Sequence, residues 1–239
     1  MKLFHDTFGD GPPVALLHGG GSGRATWAGF VGALTGFRAV TPDLRGHGAS
    51  PRAAGYPLSG YADDVIELLD DLGLDRVTLI GHSLGGFTAS LVAQRQPDRV
   101  TRLVLEDPPA PPRHGTASGG FSRARLALAG VAGGLSLRRR FDKQALLSAI
   151  TQLREPQPDW WEALPAISAP TLLLSGGPKS HIPPAGLAAV AEAVPDCRLV
   201  TVPVGHRIHS TAPVRFRETV LPFLRPDTSG GTDVSGEMR

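Results

Sequence analysis

Ser83 lies in the run Gly81-His82-Ser83-Leu84-Gly85, and its hydroxyl is the group whose surroundings point most directly to chemistry. A serine oxygen attacks a carbonyl only when a base takes its proton, and the base works best when an acid orients it. The Gly-x-Ser-x-Gly spacing alone is weak evidence. With 30 glycines in 239 residues, chance supplies it about 0.2 times in such a chain. The flanks strengthen it: RVTLI (76–80) is β-branched and apolar, while FTASLVAQRQ (87–96) reads as a helix that stops before Pro97. Strand, tight turn and helix together hold a hydroxyl above a strand end, and the helix start offers free N–H groups where negative charge develops.

Eight histidines compete for the role of base. His206, in Gly205-His206, follows a strand pattern and precedes the last helix pattern, and it is the preferred candidate. His209 is expected to serve packing or the surface, and His82 to point away from Ser83. His181 is given a structural role, and His5 and His114 carry no signal. No HxH or HxxxH pair occurs, and Cys197 has no partner at metal-ligand spacing, so neither a metal nor a cofactor is expected.

The acid is the open question. LLLSGGPKSHIPP (172–184) reads as a buried strand running into the loop where an acid would be sought, yet that loop offers Lys179. No Asp or Glu occurs between 163 and 191. A lysine cannot accept the imidazole N–H. The preceding strand pattern, RLVLEDPPAPP, ends in two carboxylates, Glu106 and Asp107.

These groups need a scaffold, and short apolar runs alternating with helical patterns predict a mostly parallel sheet covered by helices on both faces. Strands are predicted at 13–19, 37–43, 76–81, 102–107, 170–176 and 197–203, with helices near 24–35, 59–72, 84–95, 184–193 and 213–224. From Pro108 to about Ala169 no strand pattern appears; FSRARLALAGVAGGL, FDKQALLSAITQL and DWWEAL read as helices. Residues 108–168 are therefore expected to form a helical cap inserted into a core of 1–107 and 169–225. The polar tail, 226–239, is expected to be disordered.

Further motifs join the serine turn. His18-Gly19-Gly20-Gly21, with Trp27 beyond it, follows the first predicted strand. Asp43-Leu44-Arg45-Gly46-His47-Gly48-Ala49-Ser50 is an acidic, Gly-rich turn, and Gly205-His206 precedes Pro213 and a helix. In this order they resemble the α/β-hydrolase fold family, over nearly the whole chain apart from the cap and tail. One departure is the short N-terminus: residues 2–8 leave room for one strand where members usually have two.

The resemblance implies Ser83 as nucleophile, His206 as base, and an oxyanion hole formed by the N–H groups of Leu84 and Gly20. It implies structural hydrogen bonding for His18 and His47. Most members carry the acid at the position where Lys179 stands. Some, including haloalkane dehalogenases, carry it after the preceding strand. Parallel neighbours lie about 4.8 Å apart, so an acid moved by one strand still reaches the same imidazole. Asp107 matches that position better than Glu106, and side chains alternate along a strand, so both cannot point alike.

The implied activity is a serine hydrolase acting on a small-molecule ester, lactone or related acyl substrate. Serine at the nucleophile position disfavours the aspartate-nucleophile chemistry of dehalogenases and epoxide hydrolases. The same fold also hosts cofactor-free lyases and oxygenases that use a His–Asp pair for proton abstraction, and ligand receptors with little turnover. The cap, with Trp160-Trp161, suggests a partly apolar pocket, with plain cap packing as the alternative role for those rings.

Composition excludes other classes. A formal charge of +2 without aromatic–basic runs argues against nucleic acid. LALAGVAGGL (126–135) is too short to span a membrane, and MKLFHDTFGDG lacks the apolar run of a signal peptide. The lone cysteine favours a reducing, cytoplasmic setting. The sequence carries no signal for oligomeric state.

Overall fold

The computed structural model describes residues 1–115 and 141–225. Among these, β1 (His5–Phe8), β2 (Pro13–Leu17), β3 (Arg38–Pro42), β4 (Val77–His82), β5 (Val100–Glu106), β6 (Thr171–Ser175) and β7 (Cys197–Thr201) form one sheet. Its order is β1-β3-β2-β4-β5-β6-β7. β1 runs antiparallel to β3, and the other neighbouring pairs are parallel. The connecting helices are α1 (Ala28–Val31), α2 (Leu58–Asp71), α3 (Leu84–Arg95), α4 (Lys143–Gln152), α5 (Pro158–Ala163), α6 (Pro184–Ala193), α7 (Ile208–Thr211) and α8 (Pro213–Leu224). One strand precedes β2, as the short N-terminus predicts.

The alternation of side chains along each strand builds two cores. Ala15, Leu17, Leu79, Leu103, Leu105 and Leu173 face one side, with Val65 of α2 and Phe87 of α3. Val14, Leu16, Ile80, Val104, Leu172 and Leu174 face the other, with Trp27, Phe30 of α1 and Phe216 of α8. β4 and β6 are buried along their whole length, which is why their sequences are apolar runs rather than alternating ones.

The strand order also fixes where a site can form. From β2 the chain moves outward to β3, then returns to the other side of β2 with β4. At this switch point the connections diverge and leave a crevice beyond the carboxyl ends of β2 and β4. Leu17 pairs with Gly81 and His82 with Glu106. Hence His18-Gly19, Ser83 and Asp107 all emerge from neighbouring strand ends.

Three elements differ from the sequence reading. The helix expected over 24–35 is a 3-10 turn, Arg24–Trp27, followed by the single turn α1. Gly29, Gly32 and Gly36 explain the early stop, since each glycine weakens a helix by roughly 1 kcal/mol relative to alanine. β5 begins at Val100, two residues before the predicted start, across a register shift between Val77 and Thr78. The short α7 has no sequence signal, because Ile208-His209-Ser210-Thr211 holds residues of low helix propensity.

α4 and α5 lie between β5 and β6. α4 is capped by Asp142, whose Oδ1 accepts the Gln144 N–H at 2.9 Å, and it docks on the loop before α2 through Tyr56 Oη to Asp142 Oδ2 at 2.8 Å. Trp160 and Trp161 are buried anchors rather than exposed pocket walls. Trp160 Nε1 donates to Ser90 Oγ at 2.9 Å and Trp161 Nε1 to the Pro111 carbonyl at 2.8 Å, while Phe87 stacks on Trp160. The helix expected at 121–135 and the tail at 226–239 lie outside the described residues.

Candidate active site

Ser83 follows β4 with φ 52° and ψ −119°, a conformation that costs a non-glycine residue roughly 1–3 kcal/mol. Its neighbours enforce it. The Ser83 N–H donates to the Glu106 carbonyl at 2.9 Å, and the Ser83 carbonyl accepts the Phe87 N–H at 3.0 Å. A Cβ on Gly81 would collide with the Gly85 carbonyl, and one on Gly85 with the carbonyls of Leu17 and His18. The two glycines of the motif are therefore needed for close backbone approach. The residues on either side are buried, while Ser83 is partly open to solvent.

The Gly19-Gly20-Gly21 turn is held by two histidines. His18 Nδ1–H donates to the Gly19 carbonyl at 2.8 Å while its Nε2 accepts the Leu44 N–H at 2.9 Å. His47 Nε2 accepts the Gly21 N–H at 3.0 Å. Burial, followed by the neighbouring His47, pushes His18 down to about 3, so it stays neutral and keeps its acceptor nitrogen. A Cβ on Gly19 would lie 3.2 Å from Ser83 Cβ, and one on Gly20 would lie 3.7 Å from Leu84 Cδ2. The glycine turn thus lies against the Ser83 and Leu84 side chains.

His206 Nδ1 lies 2.7 Å from Asp107 Oδ2. Asp107 is fully buried, with φ 46°, and its Oδ1 accepts the Gly176 N–H at 2.7 Å. Ser180 Oγ donates to Oδ2. Gly176 and Ser180 belong to the loop after β6, where an acid was sought; that loop supplies donors to a carboxylate carried one strand away, and Lys179 points to solvent. The His181 ring packs 3.9 Å from that of His206. Within the described residues no hydrogen bond joins Ser83 Oγ to the imidazole, a gap common before substrate binds.

Glu106 faces the opposite side of the sheet and takes a different histidine. Its carboxylate accepts the His209 N–H at 2.9 Å and His209 Nδ1–H at 2.7 Å. Its pKa is lowered although burial opposes this, because the His209 N–H and Nδ1–H both donate to the anion. His209 Nε2 bonds Thr26 Oγ1 at 2.8 Å, and its ring packs 4.5 Å from Trp27. Sequence reasoning gave His209 a packing role but missed the Glu106–His209 pair and the donors Gly176 and Ser180. No spacing rule links residues so far apart in the chain.

His82, Glu106 and His209 bring three ligand-type atoms within 4.8 Å of one another. Two ligands of one zinc ion stand roughly 3.4 Å apart. The 2.7 and 2.9 Å contacts of His209 Nδ1 with Glu106 are hydrogen bonds and leave no room for an ion between them.

The model of the alpha/beta hydrolase fold family matches residues 12–124. A pimeloyl-acyl-carrier-protein methyl ester esterase of Aromatoleum aromaticum is 32% identical over 228 residues, covering 79% of this chain and 88% of the esterase. The chain belongs to the α/β-hydrolase fold family. An sn-1-specific diacylglycerol lipase of Mus musculus is 29% identical across 89% of this chain and 81% of the lipase. The crystal structure of the enol-lactonase from Burkholderia xenovorans LB400 superposes with a TM-score of 0.77 at 26% identity, covering 93% of this chain and 96% of that one. Relatives of this α/β-hydrolase are thus esterases, lipases and lactonases, and the protein is an enzyme of that family. No helix among the described residues is long and apolar enough to cross a membrane.

Proposed function

We propose that this α/β-hydrolase is a serine hydrolase acting on a small-molecule ester, lactone or related acyl substrate, with Ser83, His206 and Asp107 as its triad. The observation that carries the reading is the 2.7 Å bond between His206 Nδ1 and the buried Asp107 carboxylate, beside a serine held in a strained turn. Asp107 orients the imidazole with Nδ1 protonated, leaving Nε2 free to act as base. Ser83 Oγ bonds to the acyl carbon as Nε2 takes its proton. The carbonyl oxygen becomes an oxyanion, which the N–H groups of Gly20 and Leu84 receive. The C–O bond to the leaving alcohol then breaks, and the imidazolium returns the proton to that oxygen. Water repeats the sequence on the acyl-enzyme, releasing the acid and restoring Ser83.

Proton abstraction by His206–Asp107 without covalent chemistry at Ser83 is the second reading. It rests on the same 2.7 Å His206 Nδ1–Asp107 bond, which orients a base whether or not Ser83 attacks. Intact-mass measurement after treatment with a small fluorophosphonate separates the two. The triad reading expects one adduct on the wild type and none on Ser83→Ala. A folded wild type that stays unlabelled favours proton abstraction. The lone thiol fits work in a reducing compartment, the cytoplasm; burial raises Cys197 to about 11, which keeps it protonated.

A further inference from the structure

His82 immediately precedes Ser83 and is not used by the triad. Its ring is nearly inaccessible to solvent. Nε2 lies 2.9 Å from the His206 carbonyl oxygen, and a carbonyl only accepts, so Nε2 carries the proton and donates it. The other nitrogen faces the oxyanion turn: a Cβ on Gly19 would lie 2.6 Å from His82 Nδ1. The ring also packs 4.7 Å from the His206 ring and 5.0 Å from the His209 ring. Behind it, Glu106 grips His209 through both its backbone N–H and Nδ1. One buried ring therefore touches the glycine turn and the loop carrying the base, and is covalently joined to the nucleophile. Burial pushes His82 down to about 3, so the ring stays neutral and the donor bond persists through the neutral range.

We infer that His82 is a positioning residue for the proposed reaction: its Nε2–H bond to the His206 carbonyl, backed by the Glu106–His209 pair, sets the place of the base relative to Ser83 and the Gly19-Gly20 turn. This rests on the triad reading above. His82 moves no proton to or from substrate; it acts through the backbone of His206. A misplacement of about 1 Å in such a base costs on the order of 100-fold in rate.

The test is the rate of Ser83 phosphonylation by a small fluorophosphonate, followed by intact mass in the wild type, His82→Gln, His82→Leu, His82→Met, Ser83→Ala and Asp107→Asn. Glutamine sets an amide N–H near the imidazole Nε2 position, whereas leucine and methionine fill space without a donor. His82→Leu and His82→Met should slow the saturating rate about 10- to 100-fold, with the half-saturating concentration within about twofold, and His82→Gln should recover to within about threefold of the wild type. If leucine does not fold, methionine carries the same comparison. Labelling of a donor-less variant at the wild-type rate would overturn the inference, as would His82→Gln as slow as His82→Met at equal melting temperature. A labelled Ser83→Ala, or Asp107→Asn labelling like the wild type, would instead remove the triad reading and this inference with it.

Discussion

His18 and His82 are uncharged in the folded protein because burial denies both of them the proton that water would allow. Their folded pKa values, about 3 in each case, lie below the ordinary 6.5. Below pH 6.5 the unfolded chain therefore binds protons that the folded chain refuses. Stability contributed by the neutral rings is present above that value and is lost as the pH falls toward 3. Glu106, whose pKa is also lowered, acts in the same direction through the acid range. Each such histidine contributes a slope of about 1.4 kcal/mol per pH unit, so the pair approaches roughly 2.7 kcal/mol per unit. Urea unfolding at pH 7.5, 6 and 5 should show stability falling steeply below pH 6.5. A flat profile would mean that these rings are not held neutral.

At the level of elements, the Ser83 turn depends on how closely α3 approaches the end of β2. A methyl group on Gly85 has only backbone carbonyls to displace, those of Leu17 and His18, and strand backbone yields little. Gly85→Ala should cost about 2–3 kcal/mol, a fall in melting temperature of roughly 5–10 °C, and should slow Ser83 labelling. Gly32→Ala is the matched control. Nothing lies within 4 Å of its added Cβ, φ is −62°, and alanine there should be neutral or slightly stabilising. Equal effects from the two substitutions would show that the turn does not need this close approach.

For the whole molecule, what the sequence made legible followed from periodicity. The runs that became β2 to β7 are apolar or alternating, and α3, α6 and α8 each end two residues before a proline, Pro97, Pro195 and Pro226. The carboxylate that meets His206 was legible only as one of an adjacent pair, because register by one residue decides which carboxylate meets which histidine. In the structure each carboxylate has its own histidine: Asp107 bonds His206 and Glu106 bonds His209. The His82 bond to the His206 carbonyl was not legible, since it joins residues 124 apart through a backbone atom that no side-chain pattern reports.

Ester turnover by Asp107→Asn and Glu106→Gln beside the wild type tests most directly whether the carboxylate at the end of β5 orients His206 as the base. The triad reading predicts that Asp107→Asn, still folded by circular dichroism, loses about 10³- to 10⁴-fold in kcat. Glu106→Gln, which breaks only the pair behind the base, should lose less than about tenfold. The reverse ranking, with Glu106→Gln nearly dead and Asp107→Asn nearly intact, would contradict it.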